Sequence, residues 1–228
     1  MLLLSLAVAP GIAISLFIYS FRRMDRTSIW PLVISFLLGM CATIPPFIIQ
    51  LASGDVRDEP YRHSILSFAW FAFVIVALSE EGSKWLVVRC YAYPLAKFQE
   101  PFDGVIYAVI TGMGFATVEN IEYVWKFGLE TGVARMFLSV PAHAAFAVLM
   151  GYNIGLAKFR PERKRWLMWK ALIIVVLLHG SFDFFLFLKQ SRAALEYVSD
   201  GMLSFCAFTS FYIAVRQAWK AIRLHGSR

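Results

Sequence analysis

Apolar residues run along this chain in blocks of about twenty. They neither alternate nor keep to one helical face. At 1.5 Å per helical residue, each block is long enough to cross a hydrocarbon core about 30 Å thick. The pattern predicts seven spans, at 2–21, 30–51, 65–88, 102–125, 136–157, 166–188 and 198–217. Breakers fall between them. "YAYPLAKFQEP" (91–101) carries two prolines, "KFGLETGVAR" (126–135) carries two glycines, and "KFRPERKRW" (158–166) is mostly charge. Each reads as a loop. Pro45 and Pro46 predict a kink in the second span. The first block carries its positive charge after the apolar core, at Arg22, Arg23 and Arg26, which reads as an uncleaved span and not a secretory signal. No internal repeat or low-complexity tract is visible. The expected class is an all-α polytopic membrane protein, a bundle of about seven transmembrane helices, with residues 1–228 as one transmembrane domain.

Composition supports this class. Of 228 residues, 59% are hydrophobic and 16% charged, against about 25% charged in a soluble domain. The net charge of +7 would suggest nucleic acid in a soluble protein. In a membrane protein it reflects loops retained beside anionic lipid, so the bilayer and not nucleic acid is the expected partner. Cys41, Cys90 and Cys206 are isolated and imply no disulfide framework or zinc knuckle. With the N-terminus outside, the inner segments hold fourteen Lys and Arg and the outer segments six. That favours N-outside and C-cytoplasmic.

Against this background "FVIVALSEEGSKWLVV" (Phe73 to Val88) is out of place, because Glu80, Glu81 and Lys84 interrupt the third span. Glu119 and Glu122 lie in the fourth span, His143 in the fifth, and His179 and Asp183 in the sixth. An ionisable group at membrane depth costs about 2.5–3.5 kcal/mol even on insertion scales, so it normally faces the bundle and has a task. Glu80 and Lys84 are four apart and share a helix face, as do His179 and Asp183. Glu81 is turned about 100° from Glu80, so both line one cavity only if it is broad. Gly112 and Gly114 permit close helix approach ahead of Glu119. Glu122 and Lys126 read as an ion pair at the rim. Taken singly, His143 would more often be an interhelical hydrogen bond, and Glu80–Lys84 a structural pair. On four successive helices these groups jointly describe a site.

Charge balance says more. Glu80, Glu81, Glu119 and Asp183 against Lys84 leave −3 with neutral histidines. Either some carboxylates are protonated or a cation sits among them. Glu119, His143 and His179 offer one carboxylate and two imidazoles, the ligand set of a catalytic zinc site with a fourth position open. Glu80 or Glu81 is then the candidate base for a water molecule. Such a site hydrolyses an amide without a serine or cysteine nucleophile.

In order along the chain, "SEEGSKW" has the form EExxK, "FATVEN" FxxxE, "PAH" a lone histidine and "HGSFD" HxxxD. This order resembles the PrsW family of bacterial membrane proteases, similar in turn to the group of CAAX prenyl endopeptidases and bacteriocin-processing or abortive-infection proteins. The resemblance covers roughly residues 65–190. It implies a site-1 protease of the bacterial inner membrane that cuts a single-span anti-sigma factor on its extracytoplasmic side, ahead of a second intramembrane protease. By position it implies that Glu80 and Glu81 are the paired glutamates, Lys84 the family lysine, Glu119 the FxxxE acid and His143 the lone histidine. His179 and Asp183 match the last motif. CAAX-type enzymes tend to carry FxxxH and HxxxN where this chain has Glu119 and Asp183. An Asn amide donates to a developing oxyanion and an ionised Asp does not. Asp183 is therefore protonated, orients His179 or helps bind a metal, which favours a metal-dependent mechanism over a purely glutamate-driven one.

The expectation is thus a zinc peptidase. Glu119, His143 and His179 hold the ion, Glu80 or Glu81 takes the proton, Lys84 fixes Glu80, and Asp183 supports His179. An ion- or proton-coupled transporter would use the same groups, but no inverted repeat or matching pair of broken helices is visible. An inactive interaction protein would not need the full motif set. Glu80 lies about two-thirds of the way inward on its span, while Glu119, His143 and Asp183 lie in outer halves. Either the third helix starts later or the site is a deep cavity open to the outside. The small residues of "GYNIG" and "GMG" suit packing within one chain or in a homodimer.

Overall fold

The computed structural model describes residues 2–21, 29–55 and 64–226. Arg22, Arg23, Arg26, Arg57, Arg62 and Arg228, which enter the charge count for orientation, lie outside the described residues. The helices are α1 (Leu2–Ser20), α2 (Trp30–Cys41), α3 (Ile44–Ser53), α4 (Ile65–Ala92), α5 (Pro101–Phe137), α6 (Ser139–Phe159), α7 (Lys164–Leu188), α8 (Arg192–Leu195) and α9 (Asp200–Gly226). The described residues contain no strand.

Proline and glycine set the breaks. Pro45 and Pro46 fall in the first turn of α3, and the kink expected in the second span lies at the two-residue turn between α2 and α3, whose residues keep right-handed helical backbone angles. α5 starts where Asp103 Oδ2 accepts from the backbone N–H groups of Gln99 (2.7 Å) and Glu100 (3.0 Å), with Pro101 at the first helical position. α4 alternates α-helical turns with wider i→i+5 turns at Phe71–Leu78 and Val88–Ala92.

One sequence expectation needs correction. Residues 126–135 form helix, not an open loop, and the chain reverses at a single residue, Gly128 (φ 79°, ψ −160°). That backbone region is essentially open only to glycine. Beyond it, helix resumes and folds back, placing Gly132 against Val124 and Arg135 against Asn120.

The return arm brings α6 antiparallel against α5. A Cβ on Gly104 would overlap the backbone of Gly151 and Gly155, and one on Gly155 would overlap the carbonyl of Pro101. Gly112 faces Ala147, whereas Gly114 faces the Phe36 backbone of α2. The glycines of "GYNIG" and "GMG" therefore pack within this chain, and a dimer is not required to explain them. Gly155→Val is expected to force the two backbones apart and destabilise the bundle by about 1–3 kcal/mol, read as a lower unfolding midpoint in detergent.

α4 runs antiparallel to α7. Phe71 meets Phe187 (centroids 5.8 Å), Phe73 meets Phe184 (6.1 Å), and Trp85 Nε1–H donates to the Met168 carbonyl (3.1 Å). α9 lies outside α7, with Phe211 against Phe182. Among the described residues, five helical stretches are long and apolar enough to cross a membrane: Leu3–Ser20, Trp30–Ser53, Ile65–Ala92, Pro101–Phe159 and Pro161–Leu188. Pro101–Phe159 holds both arms of the α5–α6 hairpin. α9 occupies the seventh predicted span but is not among the five. Large apolar side chains such as Leu51, Leu66 and Phe205 point outward, as a lipid-facing surface requires. The polar groups face inward: Glu80, Glu81, Lys84, His143 and His179 are all at most 5% exposed.

Candidate metal centre

The wide turns of Phe71–Leu78 end where the acidic pair begins. Stretches of this kind recur at functional sites because they turn side chains away from their α-helical directions. Here both glutamates are buried. Glu81 Oε1 accepts from Lys84 Nζ (2.6 Å) and lies 2.8 Å from His179 Nδ1. Glu80 Oε1 accepts from Gln50 Nε2 of α3 (3.2 Å). Its Oε2 is buried with no hydrogen-bond partner, and Lys84 Nζ stands 3.9 Å away. Lys84 thus pairs closely with Glu81, three residues back, and only loosely with Glu80, where the sequence reading expected its partner. The carboxylate that also meets His179 wins, because one oxygen serves both.

The other elements converge on the same point. His179 Nε2 lies 3.2 Å from Asp183 Oδ2, one turn along α7. Glu81 meets the other ring nitrogen; a ligating histidine gives one nitrogen to the ion and keeps the other on such a partner, so a bound ion would take the place of one of these two contacts. His143 of α6 has Nδ1 3.2 Å from Lys84 Nζ and Nε2 2.8 Å from Glu119 Oε2. The two imidazoles stand perpendicular, centroids 5.3 Å apart, and Phe146 stacks on His179 at 5.1 Å. Gly180 makes room, since a Cβ there would fall on the Phe73 ring. All seven residues singled out from the sequence meet in one region. The Glu122–Lys126 pair is on the rim at 2.6 Å and well exposed, where such pairs contribute little.

Sequence reading missed Arg135, which it counted among outer-loop charges. Its Nη2 lies 3.1 Å from Glu119 Oε1, and its Nε donates to Asn120 Oδ1 (2.9 Å). Gln50 was missed as well. Neither a loop arginine nor a span glutamine carries a signal that separates it from its neighbours.

These side chains surround a cavity of about 190 Å³. Glu80, Glu119, His143, His179 and Asp183 form its polar wall, and Val76, Phe146, Phe182, Leu186 and Phe187 its apolar one. It runs from exposed Gln190 and half-buried Tyr123 down to Glu80. The depth of Glu80 is therefore met by a deep cavity that opens at the end where α5 turns and α7 stops.

The donor set fits a divalent cation. Glu80, His143 and His179 each bring a ligand atom within 4.8 Å of the others. The carboxylate joining the imidazoles in that group is Glu80, whereas Glu119 touches His143 and is held by Arg135. The orphaned Glu80 oxygen is a buried acceptor without a donor, which normally costs free energy that a cation would recover. With Arg135 counted beside Lys84, the four carboxylates leave −2 with neutral imidazoles, which one divalent ion cancels.

Comparison with known proteins agrees with this chemistry. The profile described as PrsW family intramembrane metalloprotease matches residues 27–215. Protease PrsW of Geobacillus kaustophilus (strain HTA426) is 36% identical over 190 residues, covering 82% of this chain and 81% of the relative. Protease PrsW of Bacillus subtilis (strain 168) is 34% identical over 223 residues, 96% of this chain and 95% of the relative. Protease PrsW of Clostridioides difficile (strain 630) is 33% identical over 194 residues, 82% of this chain and 80% of the relative. No solved structure matches. A deep intramembrane cluster of carboxylates and imidazoles, on a chain alike to these proteases over most of its length, makes this a multi-pass membrane peptidase that belongs to the PrsW family of intramembrane metalloproteases.

Proposed function

We propose that the protein is a zinc-dependent endopeptidase of the bacterial inner membrane that makes the first, extracytoplasmic cut in a single-span anti-sigma factor. The observation that carries the chemistry is the buried triad of Glu80, His143 and His179, with ligand atoms within 4.8 Å of one another at the floor of the cavity. Two imidazoles and a carboxylate suit zinc. Bound there, the ion supplies Lewis acidity toward water and the scissile carbonyl.

The remaining side chains have separate tasks. Glu81 and Asp183 flank His179, and the one on the nitrogen that the ion leaves free would orient the ring. Lys84 bridges Glu81 and His143 and offsets the negative field. Glu119, part-exposed to the cavity beside His143, takes the proton of the attacking water and returns it to the leaving amine. This assignment exchanges the sequence-stated roles of Glu80 and Glu119, because Glu80 is the carboxylate within reach of both imidazoles.

Cavity size and position support the substrate reading. A narrow cavity lined on several sides and reached from one end of the bundle suits a short stretch of chain more than a whole helix about 10 Å across. A segment next to a single span, entering from the end of the bundle, meets that demand. With the N-terminus outside, as the loop charges favour, the cavity opens to the extracytoplasmic side.

The test is cleavage of a purified single-span substrate in detergent. Chelation is expected to stop cutting, and zinc to restore it. Cutting that survives exhaustive chelation with no zinc on the protein would overturn metal dependence. Proton-coupled flux in liposomes without cleavage of any single-span substrate would overturn the peptidase assignment.

A further inference from the structure

We infer that Asn120 and Arg135 are positioning residues for Glu119, anchored on α1 at the carbonyls beside Pro10. The inference rests on the reading of Glu119 as the group that takes the proton.

The argument starts from a missing donor. Pro10 lies inside α1 and has no N–H, so the Leu6 carbonyl, four residues back, loses its helical partner. Asn120 of α5 meets this gap. Its Nδ2 donates to the Ala7 carbonyl at 3.0 Å and the Leu6 carbonyl at 3.4 Å. The helices are close enough because Gly11 packs on Thr117, where a Cβ would overlap the hydroxyl.

With its amide nitrogen committed to α1, the fully buried Asn120 presents Oδ1 to Arg135 Nε, 2.9 Å away. The Arg135 guanidinium lies over the Tyr123 ring, 4.0 Å from its centroid, and places Nη2 3.1 Å from Glu119 Oε1. The other Glu119 oxygen stands 2.8 Å from His143 Nε2. A continuous polar path thus runs from the backbone of α1 to the carboxylate in the cavity. A guanidinium gripped on one edge by an amide and on its face by an aromatic ring is fixed in orientation, and as an ion-pair partner it draws the Glu119 carboxylate to one side of the cavity. The matched family profile begins at residue 27, so the anchoring helix lies outside the region that carries the motifs.

The test measures kcat and KM on a single-span substrate, bound zinc, and the unfolding midpoint. Arg135→Gln is expected to lower kcat by about 10- to 100-fold, with KM within about twofold and zinc retained, as a misplaced catalytic group does. Arg135→Lys, which restores the cation, should recover part of that loss. Asn120→Ala should lower kcat by about 3- to 10-fold, and adding it to Arg135→Gln should cost nothing more, because both act through one carboxylate. Pro10→Ala gives Leu6 back its helical donor, so kcat should fall as in Asn120→Ala while the midpoint holds or rises. Wild-type kcat in both Asn120→Ala and Pro10→Ala, or losses that track the midpoint, would overturn the inference. Glu119→Gln separates the two readings. If it cuts normally, the role of Glu119 is wrong; if it is inactive while Asn120→Ala and Arg135→Gln cut normally, only the positioning path is wrong.

Discussion

Glu119→Gln is expected to give a protein that inserts, folds and carries its full complement of zinc, yet cuts substrate at least about 100-fold more slowly. The amide keeps the shape of the carboxylate but cannot take a proton. Arg135 loses its anion and still has Asn120 and the Tyr123 ring, so the fold should survive. Glu80→Gln should behave differently. It replaces the carboxylate that reaches both imidazoles, so activity and bound metal should fall together, as they should in His143→Ala and His179→Ala. Metal content of detergent-purified protein, measured beside cleavage on a gel, separates the two behaviours. Metal lost from Glu119→Gln but kept by inactive Glu80→Gln would reverse the two roles and return Glu119 to the ligand set expected from the sequence. Full activity in both would remove both from the chemistry.

Much of this centre was legible in the chain because the bilayer makes charge expensive. An ionisable group deep in an apolar block normally faces inward, so Glu80, Glu81, Glu119, His143, His179 and Asp183 stood out jointly by their depth on successive helices, whereas Glu122 near a span end lies part-exposed at the rim. The i, i+4 spacing also placed Asp183 on His179 correctly. Partner choice was harder to read. Lys84 can reach an acid three or four residues back, and His179, nearly a hundred residues distant in sequence, decides for Glu81. The choice between Glu80 and Glu119 as the carboxylate nearest both imidazoles depends on the relative depth of α4 and α5. The wide turns of Phe71–Leu78 help set that depth and leave no mark on composition. Arg135 was hidden by a different ambiguity. "KFGLETGVAR" has two glycines, and either can end a helix. Only Gly128 takes positive φ; Gly132 stays helical and packs on Val124. That choice carries Arg135 back into the bundle instead of leaving it in a loop.

Glu81→Ala should cost the fold most, about 3–5 kcal/mol of stability. Glu81 is 1% exposed and bonds Lys84 Nζ and His179 Nδ1 through a single oxygen. Its removal strands an ammonium that is 3% exposed and frees one side of an imidazole. Lys84 keeps its 3.2 Å contact with His143 Nδ1, and the nearest carboxylate left to it is Glu80, 3.9 Å away. If the lysine turns to it, the ammonium occupies the carboxylate proposed for the metal, so zinc should be lost however the site relaxes. Adding Lys84→Met removes the stranded charge and should recover most of the unfolding midpoint, because an apolar side chain suits that volume better than an unpaired ion. Cleavage should not return, since His179 has lost the carboxylate that orients its Nδ1. Unfolding in detergent, with zinc per chain on the single and double variants, decides the matter. A wild-type midpoint for Glu81→Ala, or a double variant no more stable than the single one, would show that the Lys84–Glu81 contact does not hold α4 in place. Stability restored together with activity would show that His179 needs no support from Glu81.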